Sequence, residues 1–192
     1  MIIIGITGTL GAGKGTIVEY LVGKKGFKHY SVRELLSEII RAGGQAVNRD
    51  TMVETANRMR EQHGPGFLVE ELFRKAQDSQ NNCIIESIRT EGEINSLRKK
   101  GNFYLISVDA SPEVRYQRVV ARGSETDRVS FEKFLDDEKR EMGSSDPTKQ
   151  NLHKCIALAD FKVKNDGSIE DLEKTVNNIL QEIENDGKER KK

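Results

Sequence analysis

The residues whose types and spacing could do chemistry come early. From Gly8 to Thr16 the chain reads Gly-Thr-Leu-Gly-Ala-Gly-Lys-Gly-Thr, with glycines at 8, 11, 13 and 15 and one lysine at 14. Glycine accepts turns that a Cβ forbids, so a run spaced this way can curl until successive N–H groups converge, forming a cup for an anion. Lys14 adds a mobile cation. The run follows the apolar segment Ile2 to Ile6 and precedes Ile17, Val18, Leu21 and Val22, the pattern of a buried strand handing over to a helix. A helix start contributes unpaired N–H groups and the positive end of its dipole, which suits the phosphates of a nucleoside triphosphate. Gly8, Gly11, Ala12, Gly13, Lys14, Gly15 and Thr16 are therefore the candidate ATP-binding residues, and Thr16 is a weak candidate ligand for Mg2+.

Three further groups could serve the same chemistry. Glu86 ends the apolar run Cys83-Ile84-Ile85, where a carboxylate can orient a Mg2+-bound water or simply cap the next turn. Arg89 follows three residues later, and its planar fork suits a phosphate. Arg115, Arg118 and Arg122 stand at i, i+3 and i+7 after the helix start Ser111-Pro112-Glu113, so they share one face. Arg128 and Arg140 extend that positive patch, while Arg115 by itself reads as solvated surface charge. Phosphoryl transfer asks a protein to align two phosphates and to place cations on the charge that spreads over their oxygens. Lys14, Arg89, Arg122 and Arg128, with Mg2+, form the candidate catalytic set.

These side chains need elements to hold them. Phe27 to Tyr30 reads as a short strand, and Ser31 caps a helix through Leu35, Leu36, Ile39 and Ile40 that ends at Gly43-Gly44. Thr51 and Glu54 predict a capping box for the next helix, another begins near Phe67, and one runs from about Glu91 to Lys100. Phe103 to Asp109 and Phe161 to Lys164 are further strands, and Ser168 caps a last helix. Strands alternating with helices argue for an α/β fold whose parallel sheet is covered on both faces. In such a sheet ligands bind beyond the carboxyl ends of the strands, so Gly8, Glu86, Asp109 and the Ser31 helix should gather at one edge. Residues 123–151 are polar, with one helix near Ser130 to Glu141, and read as a mobile cover without the apolar content of a core element.

Composition bounds the partners. The chain has 192 residues with 31 basic and 31 acidic side chains, so no global field would hold it on nucleic acid or an anionic membrane. A single domain is expected over 1–184, with an acceptor-binding region at about 31–80, a lid at about 122–151 and a charged tail at 185–192. Two cysteines, Cys83 and Cys155, make no disulfide framework, and Met1 to Ile6 is too short to cross a bilayer. A cytoplasmic setting is the expectation.

The Gly-Lys-Gly-Thr form at 13–16 resembles the adenylate-kinase-like nucleotide kinases, and Glu86-Ser87-Ile88-Arg89-Thr90 resembles their Asp-Gly-Phe-Pro-Arg-Thr signature, shortened by one residue. Taken with Arg60-Glu61-Gln62-His63-Gly64-Pro65, Ala110-Ser111-Pro112-Glu113-Val114-Arg115, Ala157-Leu158-Ala159-Asp160-Phe161 and Asn165-Asp166-Gly167-Ser168, the chain resembles the adenylate-kinase-related, dephospho-CoA-kinase-like family of P-loop nucleotide kinases from Met1 to about Ile183. That resemblance implies a three-layer α/β/α fold with five parallel strands, the phosphate-loop strand central, a helical acceptor-binding insertion and a lid. It also implies that Arg89 grips the acceptor phosphate, Arg118 lies against adenine, Arg122 reaches the transferring phosphate, and the turn from Asn165 to Gly167 lies near the adenine ring. Metal would be held mainly by ATP oxygens and water. The chain departs from the family where Asp-Gly-Ile-Arg is the commoner form of Glu86-Ser87-Ile88-Arg89.

The expected acceptor set is Ser31, Glu34, Arg60 and Arg89, and the resemblance implies a small nucleotide as acceptor. A nucleoside or deoxynucleoside monophosphate offers an ionised oxygen and needs no general base. Dephospho-CoA offers a ribose hydroxyl, for which Glu34 is the candidate base, although Glu34 equally suits the dipole at its helix start. A reading of another class is a P-loop ATPase whose bound nucleotide switches its affinity for a protein or RNA.

Overall fold

The computed structural model describes residues 1–123 and 129–189. Its organising strand is β1 (Ile3–Gly8), every residue of which is buried. A strand hidden on both faces needs neighbours on both edges, and β1 has them: β3 (Cys83–Glu86) on one side and β4 (Phe103–Asp109) on the other, both parallel to it. β2 (Lys28–Ser31) pairs with β3, and β5 (Phe161–Lys164) with β4. The sheet is five-stranded in the order β2-β3-β1-β4-β5, so the expected parallel sheet with a central phosphate-loop strand is what forms.

Alternation along the strands feeds two cores. Ile4, Ile6, Ile84, Ile106 and Val108 face a layer made by α1 (Lys14–Lys25) and α9 (Ile169–Glu189), where Ile17, Leu21, Val176 and Ile183 meet them. Ile3, Cys83, Ile85 and Leu105 face the opposite layer, which includes α4 (Phe67–Ser79), α5 (Glu91–Arg98) and α8 (Leu152–Ala157). The result is the three-layer α/β/α arrangement. Both thiols are buried, and burial pushes Cys83 up to about 11 and Cys155 up to about 12.

The helices between β2 and β3 divide by packing. α2 (Val32–Ala42) and α3 (Arg49–His63) contact each other, whereas Leu68, Val69, Leu72, Phe73 and Ala76 of α4 lie in the sheet-covering core. α4 is thus a crossover helix, and α2 and α3 add only Val32, Leu36 and Ala56 to the buried residues of the same core. α3 begins earlier than the sequence pattern predicts. Its capping box joins Asn48 and Thr51, the Asn48 side chain accepting from Thr51 N at 2.9 Å and Thr51 Oγ1 accepting from Asn48 N at 3.0 Å, so Thr51 closes the box from the third helical position instead of starting it.

Residues 129–151 hold more core than their polarity suggests. α6 (Pro112–Arg122) carries Tyr116, whose ring lies 5.1 Å from Phe131 and 5.6 Å from Phe134 of α7 (Phe131–Met142), and Phe134 is buried. Two aromatics with an aromatic partner suffice to dock a helix whose mean composition is polar. α8 has no counterpart in the sequence reading, since six residues are too few to show a helical period. Ser111 precedes α6 as expected but makes no side-chain cap.

Candidate active site

The carboxyl ends of β1, β2, β3 and β4 bring Gly8, Ser31, Glu86 and Asp109 to one edge. There the loop after β1 turns into α1. Gly13 is the N-cap of α1 at φ +104°, and a Cβ on it would lie 2.3 Å from Asn165 Nδ2. A Cβ on Gly11, at φ +79°, would lie 2.4 Å from the Arg115 carbonyl oxygen. Both positions therefore demand glycine on conformation and on space. A Cβ on Gly15 would meet nothing within 4 Å, so that residue faces open volume. The loop is pinned from behind: Asn165 Nδ2 donates to Ala12 O at 2.8 Å, and Arg118 donates to Asn165 O at 2.9 Å. Lys14 Nζ folds back onto Gly8 O at 3.0 Å and Thr9 O at 2.8 Å. Burial pulls Lys14 down to about 7; Arg89 adds to the fall, and the carboxylates of Glu86 and Glu141 oppose it.

Two cavities open beside this loop. The larger, with about 1550 Å³ of open space, is lined by Gly11, Gly13, Lys14, Gly15, Thr16, Glu86, Arg118, Arg122, Asn165 and Gly167. The smaller, with about 780 Å³, has an apolar wall of Val32, Leu36, Met52, Val53 and Ala56 and a polar one of Arg49, Arg60, Glu141 and Gln150. Leu10, Arg33, Ser87 and Arg89 line both, so they form the wall the cavities share.

Arg89 stands at the junction. Its guanidinium donates to Gly8 O at 3.3 Å, and its backbone N–H donates to Glu93 Oε2 at 2.8 Å. Glu93 is fully buried and also takes Arg60 Nε at 3.0 Å and a second Arg60 nitrogen at 2.9 Å on its other oxygen. Arg60 thus lines the smaller cavity, yet its guanidinium is committed to a buried ion pair that ties α3 to α5. Ser31 is buried and caps α2, its Oγ accepting from Glu34 N at 3.3 Å. Glu34 is exposed and lines neither cavity.

The three arginines of α6 do not act together. Arg118 and Arg122 line the larger cavity, whereas Arg115 is buried at 2% exposure, donating to Ala110 O at 2.8 Å and pairing with Glu138. It is neither surface charge nor part of the patch, because Asp109 and Glu138 neutralise it against the loop backbone. Arg140 pairs with Asp50 and Asp137. Arg128 lies outside the described residues.

Glu86 lines the larger cavity and its Oε2 is 3.1 Å from His29 Nε2. Burial would raise its pKa, but His29, Lys14 and Arg89 more than offset that and hold it below the usual carboxylate range. Among the described residues no three His, Cys, Asp or Glu side chains gather around a metal position. The available protein donors there, the Glu86 carboxylate and the Thr16 hydroxyl, are hard oxygens, a set that fits Mg2+ bound largely through other ligands.

Sequence reasoning missed Arg33, Arg49, Glu141 and Ser87. Arg33 follows the Ser31 cap and points to both cavities, and the signal that singled out Glu34 could equally have found it. Arg49 and Glu141 are 92 positions apart and meet only through folding, Arg49 donating to Glu141 Oε1 at 3.1 and 2.5 Å. Ser87 adopts φ +71°, a left-handed conformation in a residue with a side chain.

Comparison with known proteins agrees with this architecture. Residues 4–143 match the family model described as an AAA domain. The chain is 32% identical over 195 residues to a UPF0200 protein of Methanocaldococcus jannaschii, covering all of this chain and 95% of that one. It is 30% identical over 191 residues to a UPF0200 protein of Methanothermobacter thermautotrophicus, with 98% and 94% covered. Among solved structures, TT1252 from Thermus thermophilus superposes with a TM-score of 0.60 at 23% identity, over 94% of this chain and 97% of that one. Shikimate kinase from Aquifex aeolicus gives 0.54 at 17% identity, over 94% and 96%. Such identities establish the fold alone. No helix among the described residues is long and apolar enough to cross a membrane. With a phosphate loop at the centre of a five-stranded parallel sheet and similarity along its whole length to these archaeal proteins, the chain belongs to the UPF0200 family and has a P-loop kinase-like fold.

Proposed function

We propose that this protein is an ATP-dependent phosphotransferase that moves the γ-phosphoryl group of Mg-ATP to a nucleoside or deoxynucleoside monophosphate. The observation that carries this reading is the shared wall of the two cavities: Arg89 and Arg33 line both, so a donor over the phosphate loop and an acceptor beside α2 and α3 would meet at cations common to the two. The loop N–H groups and Lys14 would hold the donor phosphates, and Arg89 would bridge the transferring group and the acceptor. Arg118 and Arg122 would sit along the donor on the opposite side. Mg2+ arriving on the triphosphate would neutralise phosphate charge, with Glu86 orienting its water shell. Gln150 Oε1, a buried carboxamide oxygen of a residue lining the acceptor cavity, has no hydrogen-bond partner among the described residues, and a nucleobase edge carrying an N–H donor suits it.

A phosphate acceptor is favoured over an alcohol such as dephospho-CoA. An alcohol needs a base, and Glu34 lines neither cavity. Glu141 does line the acceptor cavity; burial would raise its pKa, but Arg89 and Arg49 outweigh that and keep it below the usual carboxylate range, which makes it a poor proton acceptor.

The test is ADP release from Mg-ATP with AMP, CMP, GMP, UMP, their deoxy forms, dephospho-CoA or no acceptor, beside Arg89→Ala. Acceleration by a monophosphate that the substitution abolishes is the expected result. Acceleration by dephospho-CoA alone would move the acceptor assignment to the alcohol. Equal turnover without any acceptor, unchanged in Arg89→Ala, would overturn the kinase reading in favour of a nucleotide switch.

A further inference from the structure

The acceptor cavity already contains an anion belonging to the protein. Glu141, near the end of α7, reaches into it with a side chain only 15% exposed. Its Oε1 accepts from Arg49 Nε at 3.1 Å and from a terminal Arg49 nitrogen at 2.5 Å. Its Oε2 lies 3.7 Å from Arg89. Glu141 is also near enough to Lys14 for each to feel the other's charge. One carboxylate therefore sits between a cation from α3 and the cation at the junction of the two cavities, where an incoming acceptor phosphate would have to sit.

α7 is held in this position on both flanks. Arg115 grips Glu138 from the phosphate-loop side, and Arg49 also contacts Asp137 at 3.3 Å from the α3 side. Losing the Glu141 contact would leave the helix docked through its aromatic cluster and Glu138.

We propose that Glu141 is a specificity-determining residue: it occupies the anion seat formed by Arg49 and Arg89, and only an acceptor whose leading group is a dianionic phosphate monoester displaces it. This rests on the phosphotransfer reading above and narrows it to the charge of the acceptor. The physical basis is competition for the same two guanidinium forks. A carboxylate carries one charge over two oxygens, a phosphate monoester close to two charges over three, so the dianion gains more from both arginines together than the carboxylate loses by turning towards solvent. A monoanion gains no more than Glu141 gives up, and a hydroxyl gains less.

The experiment measures binding of AMP, CMP, GMP and UMP to the full chain by calorimetry, each beside its 5′-methyl ester, which keeps the shape and carries one charge fewer. Wild type is compared with Glu141→Gln and with Glu141→Asp, whose shorter carboxylate cannot reach both arginines. Glu141→Gln is expected to tighten the preferred monophosphate about ten-fold and its methyl ester by more, shrinking the preference for the dianion. Glu141→Asp is expected to move the same way by less, and it carries the test alone if the glutamine variant does not fold. Weaker or unchanged binding in the folded variants, with monophosphates still bound by wild type and still accelerating ADP release, overturns the role of Glu141 and leaves the phosphotransfer reading standing. Absence of monophosphate binding and of acceleration in wild type and variants alike overturns both.

Discussion

The two cavities share a wall and are built differently. The larger, proposed as the donor side, has a floor of backbone contiguous in sequence, a strand end, a glycine loop and the first turn of α1, pinned by Asn165 and Arg118, with Glu86 and Arg122 added from elsewhere in the chain. The acceptor side is made of side chains from α2, α3, α7 and the loop after β3, held by ion pairs such as Arg49 with Glu141 and Arg60 with Glu93. Backbone geometry is fixed by local residue type, whereas a side-chain seat depends on partners far along the chain. A loop of the first kind can serve any triphosphate, while a seat of the second kind can be retuned by single substitutions.

That difference can be broken or sharpened experimentally. The largest effect should come from Lys14→Met, which removes the cation carried by the phosphate loop itself: acceptor-stimulated turnover should fall about a thousand-fold in a steady-state assay while the fold survives. A loss of only a few-fold would mean that the loop N–H groups suffice without the cation.

Next in size is Glu93→Gln. It leaves Arg60 without its buried counter-charge and weakens the support of the Arg89 backbone, so chemical denaturation should report a loss of about 3 kcal/mol. The KM for the acceptor should rise more than the KM for ATP. Equal rises would show that the two cavities are not separately built.

The donor side should also carry a proton signature. Lys14 titrates near 7 when it rests on the loop carbonyls, and a triphosphate would return it towards its ordinary 10.5. The sign follows from linkage: the bound state holds more protons than the free state at any pH between those two values, so ATP binding takes up protons there and its affinity falls as pH rises. At pH 6 Lys14 is already charged and uptake should be small, while at pH 8 it should approach about one proton per ATP. Calorimetry in buffers of different ionisation enthalpy measures this directly, and Lys14→Met should abolish it.

The smallest effect is expected at the shared wall. Ser87 holds φ +71°, so Ser87→Gly should relieve left-handed strain and raise stability by about 1 kcal/mol in thermal unfolding. A drop would mean that the serine side chain supports the wall by contacts that outweigh its conformational cost.

Legibility in the sequence followed the same division. The glycine loop, the alternation of strands with helices and the helix start at Pro112 were readable, because each is dictated by neighbours within one or two turns, whereas the central position of β1 came only through the family resemblance. Arg49 with Glu141 was not, since neither residue has a local pattern that distinguishes it from solvated charge. Arg115 was misread for the same reason: its helical spacing is that of a surface residue, and only Glu138, 23 positions later, reveals why it is buried. Arg60 lines the smaller cavity, but its spacing gave no sign of its partner Glu93.

The Arg60–Glu93 pair also constrains inheritance. The pair is fully buried, so a lineage that lost the arginine alone would strand a carboxylate in the core, and one that lost the glutamate alone would strand a guanidinium. Neither intermediate is easily survived by a marginally stable protein. Positions 60 and 93 should therefore change together or stay fixed across descendants, and a relative with an apolar residue at one should carry an apolar residue at the other.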